Sequence, residues 1–154
     1  MSTRLNMQKT EPGAYAALMG LESYLGTTQL THTHLDLIKI RASQINGCAF
    51  CIDMHTREAR QHSEIEQRIY GLNAWKESPF YTDEERALLA LTEEVTLITT
   101  GVSDTTYNTA IELLGEQYTA QAIMAAIAIN AWNRVGVTTQ LKPVLRRHVT
   151  VNND

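Results

Sequence analysis

Within the stretch NGCAFCIDMH, residues 46 to 55, lie the only two cysteines of the chain, Cys48 and Cys51, followed by His55. Three chemistries fit such a pattern: a redox dithiol, part of a metal clip, or a chance alignment of small core residues. Gly47 breaks the chain ahead of a helix, which places Cys48 in the first helical turn. There unpaired N–H groups and the positive end of the dipole favour a thiolate. On one helix face, residues i and i+3 bring their Cα atoms to roughly 5 Å, within reach of a disulfide. His55 follows Cys51 by four residues, so its imidazole neighbours that sulfur and can take its proton. This geometry favours Cys51 as the reactive thiol and Cys48 as the partner that closes the disulfide.

The competing readings rest on fewer residues. A zinc site needs about four ligands, and no second C-x-x-C or H-x-x-x-H is present; His32, His34 or His62 would have to supply the fourth. His62 lies two turns beyond His55 and reads as surface or packing. A redox pair also needs a carboxylate for proton management. Asp36, twelve residues before Cys48, reaches His55 directly or through a water if its helix folds back on the next. The alternative for Asp36 is a first-turn acid that only complements the helix dipole.

Helices must position these groups, because the apolar residues recur at helical spacing throughout and period-2 alternation is absent. Ala14, Ala17, Leu18, Leu21 and Leu25 form one stripe, stopped by Gly26. Leu35, Ile38, Ala42 and Ile45 form a second that begins near Thr33 or His34 and ends at Gly47. A third helix runs from about Cys48 to Gln61. Ser63 to Glu66 reads as a capping box opening a short helix that ends at Gly71, and Thr82 to Glu85 as another opening a long one. Ser103 or Asp104 caps the next, which stops at Gly115. The last, from about Thr119 to Thr138, is apolar all round between Ala122 and Ile129, as a central or interfacial helix is. The expectation is an all-α single domain, 1–154, of about six to seven helices with an N-terminal tail over 1–12.

Composition bounds the function. At 154 residues and a net charge of −4, the chain can bury a full core and has no basic stripe for nucleic acid. Its small basic cluster, Lys142, Arg146, Arg147 and His148, reads as a solvated tail. No apolar run approaches the roughly 18 residues of a spanning helix, and the N-terminus has no secretory pattern. A cytoplasmic protein is expected, where a close cysteine pair is catalytic or metal-binding more often than structural. Ser43, Gln44 and Asn46 are explained by hydrogen bonding at a helix end, and Asn130 and Arg134 by buried polar partners.

The segment LDLIKIRASQINGCAFCIDMHTREAR, Leu35 to Arg60, closely resembles the core motif of the alkyl hydroperoxidase D (AhpD)-like proteins of the carboxymuconolactone decarboxylase family. YTDEERALLALTEEVTLI and IAINAWNRVGV extend the resemblance over most of the chain. It implies an AhpD-like helical bundle, a trimeric or hexameric homo-oligomer, and thiol-dependent peroxidase chemistry; no cofactor is expected, and no metal, since a fourth ligand is not evident. By that resemblance Cys51 attacks the hydroperoxide and Cys48 donates a proton and closes the disulfide. His55 relays protons with Asp36, and an external dithiol donor, lipoyl-bearing in the best-known members, restores the thiols. Asp36 stands where the family usually has Glu, and Phe50 where the well-studied members have His. A lactone decarboxylase and a non-enzymatic redox-sensing or ligand-binding oligomer are the alternative functions.

Overall fold

The computed structural model describes residues 4–146. Among them the fold is all-α, as the periodicity predicts, with no strand. The α-helices are α1 (Met7–Thr10), α2 (Pro12–Leu25), α3 (His32–Asn46), α4 (Ala49–Gln61), α5 (Glu66–Gly71), α6 (Asp83–Thr96), α7 (Asp104–Leu114) and α8 (Glu116–Thr139), with 3-10 turns at Leu72–Ala74 and Ile98–Thr100. The stretch expected as a tail thus carries one helical turn, α1, capped by the Asn6 side chain. Of the C-terminal basic cluster, Arg147 and His148 lie outside the described residues, and Lys142 and Arg146 are exposed.

Two helices organise the bundle. α3 packs against α4, α6 and α8, and α8 also contacts α2, α6 and α7. α3 is buried on two sides because its apolar residues occupy two stripes. Ile38 and Ala42 join Leu88, Leu91, Ala125 and Ile129 in one core cluster that also contains both cysteines. Leu37 and Ile40 join Leu72, Trp75, Tyr81 and Leu89 in a second. α8 is central as its all-round apolar character predicts, burying Ala122, Ala125, Ala126, Ala128 and Ile129.

Capping residues set most helix boundaries. The Thr82 box forms in full: its hydroxyl accepts from the Glu85 N–H, and Glu85 returns a bond to the Thr82 N–H. Glu85 also receives Arg68 at 2.6 Å, which ties α5 to α6. The expected box at Ser63 does not form, since α5 opens from Ile65 without a side-chain cap. Ser63 instead takes a left-handed φ of 72°. Its N–H bonds to the Arg60 carbonyl and the Glu64 N–H to that of Ala59, the paired bonds that close a helix C-terminus. A residue closing one helix in this way cannot also be the extended N-cap of the next.

Candidate active site

The turn between α3 and α4 places the cysteines. Gly47 adopts φ 66°, ψ 30°, its N–H bonds to the Gln44 carbonyl, and the Cys48 N–H bonds to that of Ser43. This closure ends α3 and turns the chain directly into α4. Cys48 is the N-cap of α4, one position earlier than expected, and its sulfur accepts weakly from the Cys51 N–H at 3.4 Å. The two sulfurs form a disulfide with the Cα atoms 5.3 Å apart.

A buried polar lattice locks this turn onto α8. Asn46 Nδ2 donates to both Asn130 Oδ1 and Asn133 Oδ1 at 2.9 Å. Asn133 donates to Ser43 Oγ, and Asn130 to Thr96 Oγ1 in α6. Ser43 and Asn46 therefore bridge helices as well as finishing α3, while Gln44 accepts from Arg41 within its own helix. Arg134 turns back on the Asn130 carbonyl and side chain and pairs with no acid among the described residues. With every polar partner satisfied inside the bundle, the lattice fixes the disulfide relative to α8.

The two cysteines face different surroundings. Cys51 lines a cavity of about 480 Å³ with Phe50, Met54, His55 and Glu58 of α4. Tyr15 and Met19 of α2, Trp132 and Val135 of α8, and Asn6, Met7 and Leu141 also line it. Tyr15 and Trp132 meet edge to face, centroids 5.1 Å apart. The ion pair between Glu22 and Lys39, 2.8 Å long, also lines the cavity, with Lys39 close enough to act on Glu58 through space. Cys48 is not among the lining residues; it lies behind Cys51 against Gly136 of α8. Phe50 packs on the core and closes one side of the cavity.

His55 is only 4% exposed and its Nδ1 lies 2.7 Å from Glu58 Oε2. That hydrogen bond holds the Glu58 carboxyl below the usual carboxylate range. The Asp36 carboxylate, also buried, takes His62 Nδ1 at 2.7 Å. Burial pushes the Asp36 carboxyl up, against the opposing hydrogen bond from His62, and His55 is close enough to act on it through space. Asp36 and His55 thus belong to one region, but the hydrogen-bond partner of each is another residue. His62, read as surface or packing, is exposed, and it is also the partner of Asp36 and stacks on His32 with centroids 4.3 Å apart. His34 pairs with Tyr118 at 2.6 Å. Among the described residues no group of three or more His, Cys, Asp or Glu is arranged to hold a metal ion.

Glu58 and Gly136 are the site residues that spacing alone did not single out. Glu58 had a visible signal, three residues after His55 on the same helix face. Gly136 had none, because its role depends on how α8 crosses α4.

Comparison with known proteins agrees with this architecture. The carboxymuconolactone decarboxylase family model matches residues 12–94. The uncharacterized protein YdfG of Bacillus subtilis (strain 168) is 43% identical over 138 residues, covering 89% of this chain and 94% of its own. The chain belongs to the carboxymuconolactone decarboxylase family. Among solved structures of similar fold is ATU0492 of Agrobacterium tumefaciens, a protein of unknown function for which the antioxidant defence protein AhpD is offered as a candidate assignment. It superposes with a TM-score of 0.89 at 42% identity, covering 94% of this family member and all of the other chain. An uncharacterized peroxidase-related protein of Silicibacter sp. TM1040 shares the fold at 22% identity, with a TM-score of 0.73 over 84% of this chain and 69% of that one. The AhpD-like bundle expected from the Leu35 to Arg60 motif is the fold of this protein.

Proposed function

We propose that the protein is a thiol-dependent peroxidase that reduces organic hydroperoxides through Cys51 and Cys48. One observation carries this reading: the sulfur that shares a disulfide with Cys48 is also the one that lines the cavity, beside a buried histidine. The mostly apolar wall suits a substrate with a carbon body more than a bare peroxide.

In the reduced protein the Cys51 thiolate attacks the outer oxygen of the hydroperoxide. The O–O bond breaks, the alkoxide leaves with a proton as an alcohol, and Cys51 becomes a sulfenic acid. Cys48 then attacks that sulfur, the S–S bond forms and water leaves. An external dithiol, of which a lipoyl group is one form, returns two electrons by disulfide exchange and is itself oxidised. Asp36 enters this scheme as an acid near His55 that acts through space and through His62.

Peroxide consumption with dihydrolipoamide as donor tests the proposal. Wild type should turn over and Cys51→Ser should not. Turnover of a lactone that survives loss of both cysteines would replace this reading with that of a decarboxylase. A disulfide that cycles without consuming peroxide would replace it with that of a redox sensor.

We further infer a symmetric homo-oligomer, a trimer or hexamer. Its support is an apolar groove of about 410 Å³ between α6, α7 and α8, lined by Leu91, Val95, Ile98, Tyr107, Ile123 and Ile127. Ile98, Tyr107 and Ile127 are exposed there, a patch that monomers tend to cover by association. Light scattering should return a multiple of 17.3 kDa; a monomer at micromolar concentration would count against it.

A further inference from the structure

We infer that Glu58 is the positioning carboxylate of this site, the group that orients the His55 imidazole for proton transfer at Cys51. This rests on the reading of Cys51 as the reactive thiol, but not on what that thiol attacks.

An imidazole can present a lone pair to a thiol from one ring nitrogen only if the other carries the proton and is held. Here the held nitrogen is Nδ1, 2.7 Å from a Glu58 oxygen. Glu58 sits one helical turn past His55, and Cys51 one turn before it, so all three project from the same side of α4. Each lines the cavity. With Nδ1–H donating to Glu58, Nε2 is left to take the proton of the Cys51 thiol. The Glu58 charge stabilises the imidazolium that results, the imidazolium in turn stabilises the thiolate, and it later returns that proton to the departing alkoxide.

Asp36 is less well placed for this task. Its carboxylate is committed to His62 at 2.7 Å on the side of α4 toward the helix end. Its side chain is 5% exposed, where that of Glu58 is 41% exposed. A partly solvated carboxylate at a cavity mouth stays ionised at low cost, whereas a buried one resists ionisation. The other charged groups around His55 and Glu58 are Lys39 of α3, Glu22 of α2 and His62. Lys39 is already neutralised by Glu22. The stretch of α8 facing the cavity offers Trp132, Val135 and Thr139, none of them charged. Glu58 is thus the carboxylate in direct contact with the histidine.

The test reads Cys51 without peroxide. In a reduced Cys48→Ser background Cys51 is the sole thiol, so its iodoacetamide alkylation rate against pH reports its ionisation. Glu58→Gln keeps an acceptor for Nδ1–H but removes the charge, and should raise the alkylation midpoint by about one pH unit. Glu58→Asp should recover part of that shift, and Asp36→Asn should move the midpoint less than Glu58→Gln does. Nitrogen NMR of His55 gives a second readout: the Nδ1–H tautomer should dominate in the neutral ring and lose that dominance in Glu58→Ala. A Glu58→Gln profile that superimposes on its background, or a larger shift in Asp36→Asn, overturns the assignment. So does an unchanged tautomer in Glu58→Ala. A wild type that alkylates as expected yet consumes no peroxide would instead sink the peroxidase reading and leave this one standing.

Discussion

Gly136 of α8 lies against the Cys48 sulfur so closely that a Cβ at that position would stand 3.0 Å from Cys48 Sγ and 3.6 Å from Cys51 Sγ. The contact is the reason a glycine sits inside a buried helix, where it otherwise costs about 1 kcal/mol against alanine. A free thiol can rotate out of the way of an added methyl group, and a disulfide sulfur cannot.

Gly136→Ala should therefore act differently on the two redox forms. In the oxidised protein the overlap should outweigh the gain in helix propensity, with a net loss of about 1–2 kcal/mol, since overpacking typically costs 1–3. In the reduced protein the same substitution should be neutral or mildly stabilising. Urea unfolding of both forms checks this, and the disulfide of the variant should be reduced by a weaker dithiol than the wild type requires. Equal losses in both forms would mean that the contact is with α4 as a whole and not with the sulfur.

Two turns share a left-handed geometry and make opposite predictions. Gly47 closes α3 at φ 66° and Ser63 closes α4 at φ 72°. A residue with a Cβ pays about 1–2 kcal/mol in that region. Gly47→Ala should thus destabilise by about 1–2 kcal/mol although its Cβ would meet nothing within 4 Å. Ser63→Gly should stabilise, by about 0.5–1 kcal/mol after the added unfolded-state entropy. Thermal melts of the two variants should move in opposite directions.

The Ser63 turn also shows where sequence reasoning stops. Helix periodicity, the Thr82 box and the stops at Gly26, Gly47 and Gly115 are local signals, and the observed helices follow them. Ser63-Glu64-Ile65-Glu66 carries an equally good local signal, but closing α4 requires Ser63 first. The site divides in the same way. Cys48, Cys51 and His55 are joined by one helix, so spacing places them. The partner of Asp36 depends on the crossing of α3 and α4, which selects His62 at the far end of α4. Gly136 and Trp132 reach the site only through the packing of α8, which no short-range pattern encodes.

The two acids near His55 should respond to pH with opposite signs. Glu58 has a folded pKa below its unfolded value of about 4.3. Its stabilising contribution is present above that value and is lost as pH falls through the folded pKa. Being partly exposed, the pair should be worth less than about 1 kcal/mol. Asp36 has a folded pKa above its unfolded value of about 3.9. Its contribution therefore grows as pH falls through the folded pKa, because the folded protein takes up the proton first. Subtracting the unfolding curves of Glu58→Gln and Asp36→Asn from wild type between pH 7 and 3 should give slopes of opposite sign. Slopes of the same sign would show either that the His55–Glu58 hydrogen bond is not made in solution or that the His62 hydrogen bond outweighs burial at Asp36.

The arrangement of the two cysteines assigns their order of reaction. Cys51 faces the cavity and neighbours His55, while Cys48 is turned toward Gly136. Peroxide entering the cavity should meet Cys51 first. Cys48→Ser should then trap a sulfenic acid at position 51 after one equivalent of peroxide, detected by a dimedone-type label and mass spectrometry. Cys51→Ser should leave Cys48 nearly unlabelled, since that sulfur has no cavity wall to present. His55→Ala should slow the first oxidation at neutral pH, with partial recovery at higher pH where the thiol ionises unaided. General bases contribute about 10²–10⁴-fold, so slowing of less than about threefold would reduce His55 to packing. Label appearing at Cys48 in Cys51→Ser, and not at Cys51 in Cys48→Ser, would mean that stabilisation by the α4 N-terminus outweighs access and the histidine together. The roles of the two sulfurs would then exchange.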